Sequence, residues 1–206
     1  MTDYFVYDVF FEKAFGGNQL AIIPDATGLA DDDLQRIARE FNYSESTFVF
    51  PPESPDHQAR VRIFTPTMEI PFAGHPVIGT AIALSDLGGP NEMALELGVG
   101  PLPCRIADGQ AQFTTSVPLE IMVKPEPSLV AETLGLNEND IITANHVPTM
   151  ATLGLPFTIT ELTSRNALAE IVVNVNAMRQ GAAKYPASLD FAQFAYRRDG
   201  NVVRAR

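Results

Sequence analysis

The 206-residue chain reads as an α+β protein in which a curved sheet wraps round a buried helix. Three observations predict this class. Residues 77–84, VIGTAIAL, are apolar on nearly every face, as in a helix buried on all sides. Strand-like alternation precedes it, with Arg60 and Arg62 set against Val61 and Ile63 over residues 59–64. Asp108-Gly109 and Asp199-Gly200 are strong hairpin signals between strand-like flanks.

Taken in order, residues 4–10 and 20–23 are aromatic and branched, and the FGGNQ between them supplies turn chemistry, which predicts an antiparallel pair. DDDLQRIAREFN follows. Its Leu34, Ile37, Ala38 and Phe41 have helical spacing, and three aspartates fall in the first turn, where the helix dipole favours them. Residues 47–50 predict a strand stopped by Pro51-Pro52, and residues 59–64 a second strand. Small residues at 79, 81 and 83 would let strands press closely on the apolar helix. Helical patterns recur over 127–136 and from 167 to about 183. The proline-rich stretch 118–127 predicts a crossing between two lobes, 1–117 and 118–206. Residues 166–206 repeat the order of residues 31–64, with NVVRAR in the place of QARVRIF.

Bulk composition excludes several classes. A hydrophobic fraction of 46% is enough for a real core. A net charge of −11 with scattered basic residues argues against nucleic acid and anionic membranes as partners. No apolar run has the roughly 18 residues of a membrane helix, and the N-terminus lacks the pattern of a signal peptide. Cys104 is the single cysteine, so an internal disulfide framework and a Cys-based zinc site are excluded, and a cytoplasmic setting is expected.

Candidate chemistry gathers around PFAGHPVIGTAIA, residues 71–83. Pro76 suits the first position of a helix, which would make His75 the N-cap and leave the Val77 and Ile78 amides facing a carboxylate or phosphate. Gly74 would let a ligand approach the backbone. The plainer reading is a tight turn into a core helix, with His75 satisfied by a carbonyl. Ser44-Glu45-Ser46 places an acid at a strand end; such an acid serves as general base and then general acid if burial lifts its pKa. The plainer reading there is a solvated loop glutamate, and Gly16-Gly17-Asn18 is by itself only a hairpin turn. No HExxH, GxSxG or P-loop is present, Gly98-Val99-Gly100 lacks a dinucleotide-binding context, and three scattered histidines lack metal-ligand spacing.

Together, FGGNQLAII (15–23), LQRIAREFNYSESTFVFPP (34–52) and RVRIFTPTMEIPFAGHPVIGTA (60–81) resemble the PhzF-like phenazine-biosynthesis isomerase family in order and spacing. The likeness is strong over residues 4 to about 85 and fainter beyond. It implies a diaminopimelate-epimerase-like fold: two similar lobes, each a curved sheet or barrel round a central helix, with the active site between them. It implies Glu45 as the proton-transferring acid/base, His75 as its assistant, and central-helix N-termini that hold a substrate carboxylate. Asn18, Ser44, Gly74, Val77 and Ile78 are then candidate substrate-binding residues. The resemblance further implies no cofactor, no metal, a small carboxylate-bearing substrate and a homodimer. Related epimerases use a cysteine pair, and a single Cys104 fits the glutamate branch. The family carries an Asp-Pro-Ala-Thr-Gly motif soon after the segment resembling NVVRAR. No such motif occurs here, so the second lobe is expected to be incomplete and the chain truncated.

Two functions compete on these grounds. One is an isomerase moving a proton through Glu45. The other is a non-catalytic small-molecule binder, or an inactive truncated remnant of such an enzyme. A Ser-His-Asp hydrolase using Ser44 and His75 stands third, because neither Ser44 nor its neighbour Ser46 sits in a nucleophile elbow.

Overall fold

A computed structural model describes residues 2–11 and 13–206. The chain divides into two compact units, 1–117 and 118–206. In the first, β1 (Phe5–Val9) and β2 (Asn18–Ile23) pair antiparallel, as their aromatic and branched residues predict. The helix α1 (Asp31–Phe41) follows and ends at Asn42, whose left-handed conformation (φ 54°) turns its N–H back to the Ala38 carbonyl. It buries Leu34 and Ala38 against Ile23, Ala26, Phe48 and Phe64.

The chain then returns as β3 (Glu45–Phe50), parallel to β2, and β4 (Ala59–Phe64), antiparallel to β3. After the short β5 (Glu69–Ile70) comes α2 (Gly74–Asp86), and then β6 (Glu92–Leu97), β7 (Gly100–Ala107) and β8 (Gln110–Phe113). The sheet runs β1-β2-β3-β4-β6-β7-β8, with β5 beside β4. Because α2 packs on β1, β2 and β3 and also on β6, β7 and β8, the sheet curls round it. Close approach is what Gly79 allows: a Cβ there would lie 2.6 Å from Leu20 Cδ2 and 2.9 Å from Val9 Cγ2. The Asp108-Gly109 turn between β7 and β8 has both residues at positive φ, 51° and 70°, as a primed hairpin turn requires.

One local expectation is corrected. α2 starts at Gly74 with Ala73 as its N-cap, so His75 and Pro76 are the second and third helical residues. Proline has a helical φ and no N–H to waste, which suits any position of the first turn. The Val77 amide is consequently turned inward, to the Ala73 carbonyl at 3.4 Å.

The second unit contains β9 (Glu120–Val123), α3 (Pro127–Leu134), β10 (Thr149–Thr152), β11 (Pro156–Glu161), α4 (Arg165–Glu170), α5 (Val175–Lys184), β12 (Gln193–Asp199) and β13 (Val202–Ala205). Its sheet order is β13-β12-β11-β10-β9. β11 and β12 are parallel and β12 and β13 antiparallel, repeating the succession of β2, β3 and β4.

The helix expected over 167–183 is two helices. Asn174 ends the break between them: its side chain accepts from the Asn176 and Ala177 amides and so starts α5 afresh. The amides of Val172 and Asn174 bond to the Leu134 and Thr133 carbonyls, which gives the break its own hydrogen bonds. α3, α4 and α5 contribute to one core with Met150, Leu162, Phe191 and Ala195. The alternate residues Phe157 and Phe194, with Ile121 and Val203, lie exposed on the opposite sheet face. No helix among the described residues is long and apolar enough to cross a membrane.

Candidate active site

Three elements of the first unit begin at one place. Asn18 is the first residue of β2 and Glu45 the first of β3. The two strands are adjacent and parallel, with Glu45 opposite Leu20. Strand alternation puts Asn18, Leu20 and Glu45 on one face, and Leu20 packs against Gly79 of α2 on that face. The first turn of α2 supplies His75.

The side chains meet. His75 Nδ1 lies 3.2 Å from Glu45 Oε2 and 3.3 Å from Asn18 Nδ2. Ser44 donates its hydroxyl proton to Asn18 Oδ1 at 2.8 Å. The pair is withdrawn from water, with side-chain exposures of 9% for His75 and 17% for Glu45. Among the described residues, neither Glu45 Oε2 nor His75 Nε2 finds a hydrogen-bond partner, despite the short separation across the pair.

Burial shifts both groups toward their neutral forms. It raises the Glu45 carboxyl above the ordinary range, while the neighbouring Ser44 hydroxyl works the other way. It pushes the His75 imidazole down to about 4, against a smaller upward pull from the Gln19 main chain. A carboxyl lifted toward neutrality beside an uncharged imidazole can take up and return a proton.

Glu45, His75, Asn18 and Ser44 therefore come together as a group. Gly74 opens the helix, whereas the other two candidates are displaced from the role expected of them. Val77 is fully buried with its amide inside the helix, and Ile78 belongs to the second turn. The unbonded amides of the first turn are those of Gly74 and His75, because Pro76 has none.

One further participant was not read from the sequence: the Gln19 main chain touches the imidazole. Asp8 stays outside the group, because it is the register partner of Gln19 and so lies on the strand face opposite to Asn18, Leu20 and Glu45.

Other titratable groups belong elsewhere. A cleft of about 870 Å³ is lined by His57, Arg60, Arg62, Glu69 and Glu96, not by the Glu45 group. Four of these charges pair with one another: His57 meets Glu96 at 2.7 Å, and Arg62 meets Glu69 at 2.7 and 2.8 Å. Cys104 is buried, its thiol pushed up to about 11 by burial, as befits a packing residue. In the second unit Asn145 donates to the buried Glu161 at 2.8 Å, and the Tyr196 hydroxyl stands between Glu161 and His146, at 3.4 and 2.8 Å.

Comparison with known proteins finds a match to the family model described as phenazine biosynthesis-like protein, over residues 7–200. An uncharacterized isomerase of Mesorhizobium japonicum is 37% identical over 190 residues, covering 88% of this chain and 63% of the relative. Trans-2,3-dihydro-3-hydroxyanthranilate isomerase of Pseudomonas aeruginosa is 47% identical over 103 residues, covering 50% of this chain and 37% of the relative. Among solved structures, a protein described as a predicted epimerase from Pseudomonas aeruginosa superimposes with a TM-score of 0.76 at 31% identity, covering 97% of this chain and 70% of that one. The chain thus spans less than two thirds of the length of these two curated relatives.

Proposed function

Because the chain belongs to the phenazine biosynthesis-like family and has its α+β, diaminopimelate-epimerase-like fold, we propose that it acts as an isomerase of a small carboxylate-bearing metabolite. The reaction is a proton transfer through Glu45. The observation that carries this reading is the Glu45–His75 pair itself: two half-buried side chains 3.2 Å apart, with the carboxyl lifted in pKa and the imidazole held neutral. Glu45 removes a proton from a carbon made acidic by a neighbouring unsaturated or carboxyl group and returns it at another carbon. The amides of Gly74 and His75, at the positive end of α2, are the chain's own donors for negative charge developing beside them.

The test uses trans-2,3-dihydro-3-hydroxyanthranilate, the compound in the Pseudomonas aeruginosa relative's name. The protein is incubated with it in deuterated water and deuterium uptake is read by mass spectrometry. Uptake is expected with the native chain and should fall about 10²- to 10⁴-fold in Glu45→Gln, the range for losing a general acid/base. Undiminished uptake in the variant removes the role from Glu45. The competing function is a binder of the same class of compound without turnover. It is identified by calorimetric binding of the same compound with no deuterium uptake.

A further inference from the structure

Asn18 and Ser44 were expected to touch substrate, but their hydrogen bonds point to another task. The Ser44 hydroxyl donates to Asn18 Oδ1 at 2.8 Å, so the amide's other end, Nδ2, is the one presented to His75 Nδ1 at 3.3 Å. An amide NH₂ only donates, so the nitrogen it meets must hold a lone pair. Glu45 Oε2 lies 3.2 Å from the same nitrogen and makes no hydrogen bond with it, so the carboxyl does not compete for that position.

We propose that Ser44 and Asn18 form a positioning relay that locks His75 in the tautomer with its proton on Nε2 and its lone pair on Nδ1. The relay is anchored in backbone geometry, because Asn18 opens β2 and Ser44 immediately precedes β3, two parallel neighbours. Three consequences follow for the pair. The lone pair of His75 is already engaged, so His75 acts as a donor and not as a base. Glu45 is left as the one member that takes up and releases the transferred proton. The buried Nε2–H makes no hydrogen bond of full geometry among the described residues, although the Gln19 main chain lies beside the ring, and it is the donor that an oxygen of the substrate would meet on entering. A neutral imidazole working as a donor beside a carboxylate base is an established division of labour in proton-transfer sites.

The consequence for catalysis rests on the proposed isomerase function, whereas the tautomer is a property of the free protein and is measured without substrate. Long-range ¹H–¹⁵N correlation spectra of ¹⁵N-labelled protein at neutral pH distinguish a protonated from an unprotonated ring nitrogen. Loss of a signal set in His75→Gln assigns it among the three histidines. The native protein should show His75 protonated at Nε2 and bare at Nδ1. Asn18→Asp, which replaces the donor by an acceptor of the same shape, should move the proton to Nδ1. Ser44→Ala frees the amide to turn over and should give a mixture of the two forms, whereas Ser44→Thr, which keeps the hydroxyl, should restore the native pattern.

A native spectrum with the proton on Nδ1 overturns the relay. It would mean that Ser44 gives its proton to Glu45 and that the amide is turned the other way. An unchanged tautomer in Asn18→Asp overturns it as well. Should the variants not fold, the native spectrum decides alone. A locked Nε2–H tautomer in a protein that incorporates no deuterium would refute the isomerase function and leave the relay standing. Activity with the proton on Nδ1 would do the reverse.

Discussion

Thr47 and Thr80 face each other in the interior with their hydroxyl oxygens 3.0 Å apart, which joins the strand that begins with Glu45 to the helix that carries His75. Both residues are fully buried, so neither hydroxyl has water to turn to. Thr80→Val should therefore lower stability by about 1–3 kcal/mol, the cost of a buried hydroxyl left without a partner. The double variant Thr47→Val with Thr80→Val should recover most of that loss. Urea unfolding of the four proteins measures the coupling, and strict additivity of the two single changes would show that the pair is not acting as one unit.

The Glu45–His75 pair sets two opposing pH dependences. His75 is held down at about 4 in the folded protein against an ordinary value of 6.5. Between those values the unfolded chain binds the extra proton, so this contribution is complete above pH 6.5 and is lost as pH falls toward 4. Its size is on the order of 2 kcal/mol, at about 1.4 kcal/mol per unit with allowance for partial screening. Glu45 is raised, so in its window above pH 4.5 the folded state binds the extra proton and stability falls as pH rises. Glu45→Gln should steepen the loss of stability below pH 6.5 by removing the opposing slope, and His75→Gln should reverse it. Denaturation midpoints measured from pH 4 to 7.5 read both, and parallel curves for the two variants would contradict the burial assigned to the pair.

Gly79 sits where α2 crosses β2, and its missing side chain leaves room for Leu20. An alanine adds about 1 kcal/mol of helix propensity but forces Leu20 and Val9 to shift, at about 1–3 kcal/mol. Gly79→Ala should therefore be destabilising by up to about 2 kcal/mol. Since Leu20 is the register partner of Glu45, the variant should also slow deuterium exchange. A variant as stable and active as the native protein would mean that the crossing is looser than these distances require.

Tyr196→Phe tests the buried polar group of the second unit. The hydroxyl reaches both His146 and Glu161, and Glu161 is only 3% exposed. Its removal should cost about 1–3 kcal/mol by leaving polar atoms unpaired, with no effect on the tautomer of His75. Thermal unfolding provides the measurement.

Much of this was legible where local chemistry and tertiary demand agree. Three aspartates and four apolar residues at helical spacing specify α1, and the alternation of residues 59–64 is that of β4. β6 was missed because EMALEL is built of strong helix formers. Its alternation of Met93, Leu95 and Leu97 toward the interior is what prevails. At α2 the proline's preference for a helix start is satisfied at the third position as well as the first, so it does not fix the N-cap. The candidate site was legible as a set of residues only through family resemblance. Residues 18, 44 and 75 meet because β2 and β3 run parallel and α2 is enclosed by their sheet, and no local spacing announces a long-range pairing.

The parallel register of β2 and β3 also decides which changes in length the chain can absorb. Glu45 and Thr47 are two residues apart on one face, one directed to His75 and the other hydrogen-bonded to Thr80. A single residue gained or lost between them would turn one of the two to the opposite face. The connection from Pro51 to Gln58, between β3 and β4, lies beyond that constraint. Changes of length there leave the Glu45–Thr47 spacing intact, while between Glu45 and Thr47 the tolerance is zero.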